Sequence, residues 1–127
     1  MVYLIDDDES VRRALQRLLR SAGLDVKAFA SAEEFLQSGN FSQGACIVLD
    51  IQMRGLTGFG LQERLASKEI WIPTIAVSAL DDAETRERAR KLGAAAFFRK
   101  PVDGQALIDA IHWAMGVNKH TSAPSDS

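Results

Sequence analysis

The sequence predicts an α/β fold, a doubly wound five-stranded parallel sheet with helices on both faces. Three observations point to it. Five short apolar runs alternate along the chain with five segments whose apolar residues recur at helical spacing. The third run, ACIVL (45–49), is apolar throughout, as suits a strand covered on both sides. Stop residues such as Gly23, Gly39 and Gly116 fall where the helical patterns end.

VYLI (2–5) is the first strand. Behind it Val11, Ala14, Leu15, Leu18, Leu19 and Ala22 recur at helical spacing, and Gly23 ends that helix. LDVKAF (24–29) alternates as a half-exposed strand, and Ser31 with Glu34 forms a capping box for a helix closed by Gly39. After ACIVL, a helix from about Gly58 to Ser67 carries Phe59, Leu61 and Leu65. TIAV (74–77) is the fourth strand, with Pro73 tolerated at its entrance. Asp81 or Asp82 caps a charged helix ending at Leu92–Gly93, whose apolar anchors are only Ala83, Ala89 and Leu92. Its RERARK stretch (86–91) reads as a solvated face. AAFF (95–98) is the fifth strand, and Asp103 opens a last helix that Gly116 stops.

At 127 residues with 46% hydrophobic and 25% charged residues, the chain is the size of one ordinary globular domain. A net charge of −2 supplies no basic footprint for nucleic acid. No apolar run is long enough to span a membrane, and no signal peptide precedes the first strand. The single cysteine, Cys46, reads as core packing, so a reduced, cytoplasmic setting is expected. Trp71 and Trp113 read as packing groups, and His112 and His120 lack a second ligand at metal spacing.

The chemistry collects where strands end. VYLI runs straight into DDDE, although two carboxylates about 4 Å apart repel by roughly 4 kcal/mol near a protein surface. Asp8 and Glu9 suit the first turn of the following helix, which leaves Asp6 and Asp7 to explain. The third strand ends in Asp50, the fourth in Ser78, and the fifth runs through Arg99 to Lys100–Pro101. In open parallel sheets these carboxyl ends form the working rim. A divalent cation among Asp6, Asp7 and Asp50 would offset the repulsion. Magnesium suits such a cluster, because it takes one or two carboxylates and keeps room for phosphoryl oxygens. Lys100 and Ser78 would then receive an anion.

VYLIDDDESVRRAL, VLDIQMRGLTG, TIAVSA and FFRKP resemble, in order and spacing, the four signatures of the response-regulator receiver domain of bacterial two-component systems, over residues 1–116. RSAGLDVKAFASAEEFL further resembles the FixJ-like branch, whose receivers usually precede a helix-turn-helix DNA-binding domain. The resemblance implies the flavodoxin-like strand order 2-1-3-4-5. It makes Asp50 the phosphoacceptor from a sensor histidine kinase, with Asp7 binding magnesium directly, Asp6 mainly through water, and Gln52 through its backbone carbonyl. Ser78 would hydrogen-bond a phosphoryl oxygen and Lys100 would pair with the phosphoryl group. Phe97 falls at the family's aromatic switch position, and the Lys100–Pro101 bond at one that is usually cis. Arg54 stands where the family often has proline.

The implied protein is a signalling switch that catalyses its own modification and slow autodephosphorylation, not a turnover enzyme. Phosphorylation would shift the fourth helix and allow a symmetric homodimer. VNKHTSAPSDS (117–127) would be a polar linker or tail leading to an output domain absent from this chain, through which alone DNA would be reached. A stand-alone receiver is the alternative output. A second resemblance competes: Asp6-Asp7-Asp8 contains the D-x-D of haloacid-dehalogenase-type phosphatases, magnesium-dependent hydrolases that would use Asp6 as nucleophile. Against it, Ser10 stands where Thr or Val is expected, no acidic pair closely follows the fourth strand, and the chain is short. A nucleotide-binding reading fails because acids, which repel phosphate, replace the Gly, Ser and Thr of a phosphate loop.

Overall fold

The computed structural model describes residues 1–39, 41–53 and 55–116, so Arg54, His120 and the 117–127 tail lie outside the described residues. Five strands and five helices alternate: β1 (Val2–Ile5), α1 (Glu9–Ser21), β2 (Val26–Phe29), α2 (Ala32–Ser38), β3 (Cys46–Asp50), α3 (Gly58–Ser67), β4 (Thr74–Ser78), α4 (Ala83–Lys91), β5 (Ala94–Arg99) and α5 (Gly104–Ala114). The strands form one parallel sheet in the order β2-β1-β3-β4-β5, as expected. The order reverses between β1 and β3, which opens a crevice at their carboxyl ends.

Alternation along each strand divides the core between the faces. Val2, Leu4, Cys46, Val48, Ile75, Val77 and Phe98 pack with Leu15, Leu19, Leu107 and Ile111 of α1 and α5. Tyr3, Ile5, Ile47 and Leu49 point the other way, onto Phe35 of α2 and Leu61 and Leu65 of α3. A third, smaller cluster joins Ile51, Ala76, Ala89 and Phe97, with Phe59 and Ala94 against it. Of the three apolar anchors expected on α4, only Ala89 is fully buried, while Ala83 is exposed. Cys46 is buried as expected, and burial pushes its thiol up to about 12. Among the described residues no helix is long and apolar enough to cross a membrane.

Local chemistry sets the helix ends. Asp8, Ser31, Thr57, Asp82 and Asp103 each cap a helix by accepting the N–H three residues on, each cap contributing about 1 kcal/mol. Asp82 rather than Asp81 caps α4, and Asp81 pairs with Arg86 instead. In the expected capping box, Glu34 turns back to accept from Ala30 N–H at 3.1 Å. β2 starts at Val26 rather than Leu24 because Leu24 is used to finish α1. Its N–H bonds Leu19 O while Gly23, at φ +83°, bonds Arg20 O.

The same motif ends α3 with Glu69 in the left-handed position at φ 58°, and it corrects the expectation for Trp71. Ile70 and Ile72 both turn toward the core, so alternation throws Trp71 outward, 82% exposed. Trp113 is half-buried near the end of α5.

α3 lies close against the loop that follows β3. A Cβ on Gly58 would stand 2.7 Å from both Asp50 O and Ile51 Cα. Gly58→Ala should therefore destabilise the fold by about 1–3 kcal/mol, read as a lower urea midpoint at an unchanged m-value.

Candidate functional site

Register brings the rim residues together. Ile5 pairs with Leu49, so Asp6, the next residue after β1, reaches the rim beside Asp50. Asp50 pairs with Val77, which places Ser78 on its other side, and Ser78 pairs with Arg99, which sets Lys100 just beyond. Asp6 and Asp50 are 2% and 5% exposed, and Ser78 is fully buried. The carboxylates of Asp6, Asp7 and Asp50 offer oxygens within 4.8 Å of one another, a hard-oxygen donor set that could hold a metal ion.

Lys100 closes the cluster. Its Nζ lies 3.2 Å from Asp6 Oδ2 and 3.2 Å from Asp50 Oδ2. Burial works against its ammonium, but Asp50 and Asp6 outweigh it and hold the lysine above its ordinary pKa. The Lys100–Pro101 bond is cis, as expected.

The same local device fixes three strand-end side chains. Asp6 Oδ1 accepts from Asp8 N–H at 2.9 Å, Asp50 Oδ1 from Gln52 N–H at 2.9 Å, and Ser78 Oγ from Leu80 N–H at 3.0 Å. Each side chain thus bonds the backbone two residues on, which orients it without a distant partner. Gln52 enters the site through that N–H, while its side chain is exposed. Asp8 and Glu9 take the helix-start roles expected: Asp8 caps α1, and Glu9 pairs with Arg13.

Phe97 is not at the rim. It is buried in the small third cluster, tied to the site through Ile51, the neighbour of Asp50, and through Ala76 on β4. The Arg86 guanidinium sits 4.9 Å from its ring centroid. Arg88 likewise lies 4.4 Å from the Phe59 ring and 3.6 Å from Glu63. The RERARK face is therefore not merely solvated; two of its arginines stack on aromatic rings far from them along the chain or on another helix, pairings that no local pattern reveals. Arg12, which donates to Asp6 O at 2.9 Å, was also missed. Its signal was a cation near a helix N-terminus, where the dipole disfavours one.

Burial pushes Asp50 up from 3.8 to about 6; the Gln52 N–H opposes this, Asp6 adds to it, and Lys100 opposes it. Folded Asp50 thus keeps its proton in a window where the unfolded chain has released it, so stability falls as the pH rises through that window. In EDTA, the stability of wild type relative to Asp50→Asn should decline between about pH 4 and pH 6 and then level off. Thermal unfolding across that range checks this, and a flat difference would contradict it.

Comparison with known proteins agrees with this geometry. Residues 2–112 match the response regulator receiver domain family. The transcriptional regulatory protein TdiR of Thauera aromatica is 39% identical over 118 residues, covering 93% of this chain and 52% of TdiR. Nodulation protein W of Bradyrhizobium diazoefficiens is 43% identical over 111 residues, covering 87% of this chain and 49% of its own. The crystal structure of FixJ-N superposes with a TM-score of 0.84 at 33% identity, covering 96% of this chain and 95% of that one. The chain spans about half the length of the curated relatives it matches. It belongs to the response regulator receiver domain family.

Proposed function

We propose that Asp50 accepts a phosphoryl group from the phosphohistidine of a sensor histidine kinase, and that this modification switches the surface built by α4, β5 and α5. Receiver domains of this family are signalling proteins rather than turnover enzymes. One observation carries the choice of Asp50: among the described residues it alone has the β1 acids on one side and the Ser78 hydroxyl on the other. Asp6 is separated from β4 by β3, and Asp8, the second acid of the phosphatase-like D-x-D, is committed to capping α1. The phosphatase alternative has no comparable support.

Asp6, Asp7, the Asp50 carboxylate and the Gln52 carbonyl would hold magnesium. When bound, the ion neutralises charge shared between the carboxylates and the phosphoryl oxygens. Asp50 supplies an oxygen to phosphorus as the phosphorus–nitrogen bond breaks, and the donor imidazole keeps the electron pair. Such a transfer passes through a loose transition state that calls mainly for positioning and charge balance. The Gln52 N–H holds the Asp50 carboxylate in place, and Lys100 swings from its two carboxylates to the phosphoryl oxygens. The Ser78 hydroxyl, already accepting from Leu80, has its own proton free to donate to a phosphoryl oxygen.

That donation is the first step of the switch. Drawing Ser78 toward the phosphoryl group strains its bond to Leu80, two residues before the Asp82 cap of α4. The space vacated by Ser78 is taken by Phe97 as the switch residue. Moving the domain from 1:99 to 99:1 active requires about 5.5 kcal/mol of preference for the active state. Charge-assisted bonds from Lys100, together with Ser78 and backbone amides, are of that order at roughly 1.5–3 kcal/mol each. On the same reading, residues 1–116 would be the receiver and 117–127 a linker or tail leading to a transcriptional output domain. That reading follows relatives named as transcriptional regulators.

Acetyl phosphate with magnesium should add one phosphoryl group to wild type and none to Asp50→Asn, and EDTA should prevent it, as read by intact mass. A stable adduct on Asp50→Asn that is lost in Asp6→Asn would favour the phosphatase reading. With beryllofluoride and magnesium the domain should sediment as a symmetric dimer. A monomer at high concentration in both states would instead favour a receiver acting alone.

A further inference from the structure

The two ends of α4 are held by different means. At its C-terminal end, Gln62 of α3 reaches across, and its Nε2 lies 3.4 Å from both Ala89 O and Leu92 O. These carbonyls belong to the last turn, where a helix has no N–H of its own to offer them. Both partners are acceptors, so the amide nitrogen must face them. That orientation leaves the buried Gln62 Oε1 without a hydrogen-bond partner among the described residues. An acceptor left unmade marks the donor side as the one the structure uses. The N-terminal end is held instead by the Asp82 cap, the Asp81–Arg86 pair and the stacking of Arg86 on Phe97.

Gln62 stands one helical turn beyond Gly58, where α3 lies directly on Asp50 O and Ile51. α3 is therefore a short strut from the acceptor loop to the end of α4. We infer that Gln62 is a positioning residue, a pin that holds the C-terminal end of α4 against α3, so that α4 answers phosphorylation by pivoting on that end while its first turn moves. The pivot rests on the phosphoryl switch proposed above; the pin itself does not.

Hydrogen exchange of the α4 amides tests both parts separately. Gln62→Met keeps length and shape but leaves Ala89 O and Leu92 O without their donor while removing the unpaired Oε1, so the fold should survive with a melting temperature lowered by a few degrees. Without any phosphoryl mimic, amides of Ala89–Gly93 should exchange roughly tenfold faster in this variant, the factor expected for losing such a bond pair. Amides of α1 and α2 that exchange through local openings should not change, and sheet amides should accelerate only as far as the fall in melting temperature implies. Gln62→Asn, which keeps the amide but loses its reach, should behave the same way. In wild type, beryllofluoride with magnesium should alter exchange at residues 82–86 and leave 89–93 protected; in Gln62→Met both ends should respond. Unchanged exchange at 89–93 in both variants, or equal acceleration throughout the chain, would overturn the pin. If the mimic leaves α4 of wild type untouched while the variants still loosen its end, the pin stands and the proposed switch fails.

Discussion

Everything at the working rim depends on one electrostatic constraint: three carboxylates crowd one site, and the Lys100 ammonium lies against two of them. Lys100 divides itself evenly between Asp6 and Asp50, at 3.2 Å from each. Crowding of this kind is relieved by a cation among the carboxylate oxygens or by a proton on Asp50. Both remedies are visible in the chemistry of the site. The oxygens cluster tightly enough for a metal, and burial raises the affinity of Asp50 for a proton. A site balanced this closely responds to any change in its charge.

The fold makes that crowding tolerable by fixing its members before any ligand arrives. A parallel sheet delivers one side chain per strand end to the same rim. Each of the three fixed side chains then bonds the N–H two residues on, so its orientation costs no long-range contact. Lys100 is the exception. It is placed by the pairing of β4 with β5, reinforced by its own N–H on Ser78 O at 2.9 Å.

The uneven packing of the core explains which element can answer the site. The clusters beneath α1 and α5, and beneath α2 and α3, are large and aliphatic or aromatic. α4 rests on Ala89 alone, supplemented by arginines lying on Phe97 and Phe59. Cation–π contacts at half-exposed positions are worth about 0.5–1 kcal/mol each, far below a buried leucine. A helix held by such contacts and by an amide on its last carbonyls is attached strongly enough to be ordered and weakly enough to move. The small cluster of Ile51, Ala76, Ala89 and Phe97 sits between it and the end of β3, so the two share one set of packing contacts.

The sequence by itself determined the element order, four of the five caps to within a residue, and the acids, hydroxyl and lysine of the rim. Those features rest on interactions within about four residues, or on the rule that parallel strands end at a common edge. Asp50, Ser78 and Lys100 could be read as neighbours because each follows an apolar run, not because their contacts were visible. Only the tertiary structure decided the rest. Trp71 is outside because Ile70 and Ile72 on either side of it face the core, a choice made by the sheet they pack on. Arg86, Arg88 and Gln62 look like ordinary polar helix residues until Phe97, Phe59 and the end of α4 are brought to them. The even division of Lys100 between two aspartates needs partners 94 and 50 residues away, and no local pattern encodes a distance of that kind.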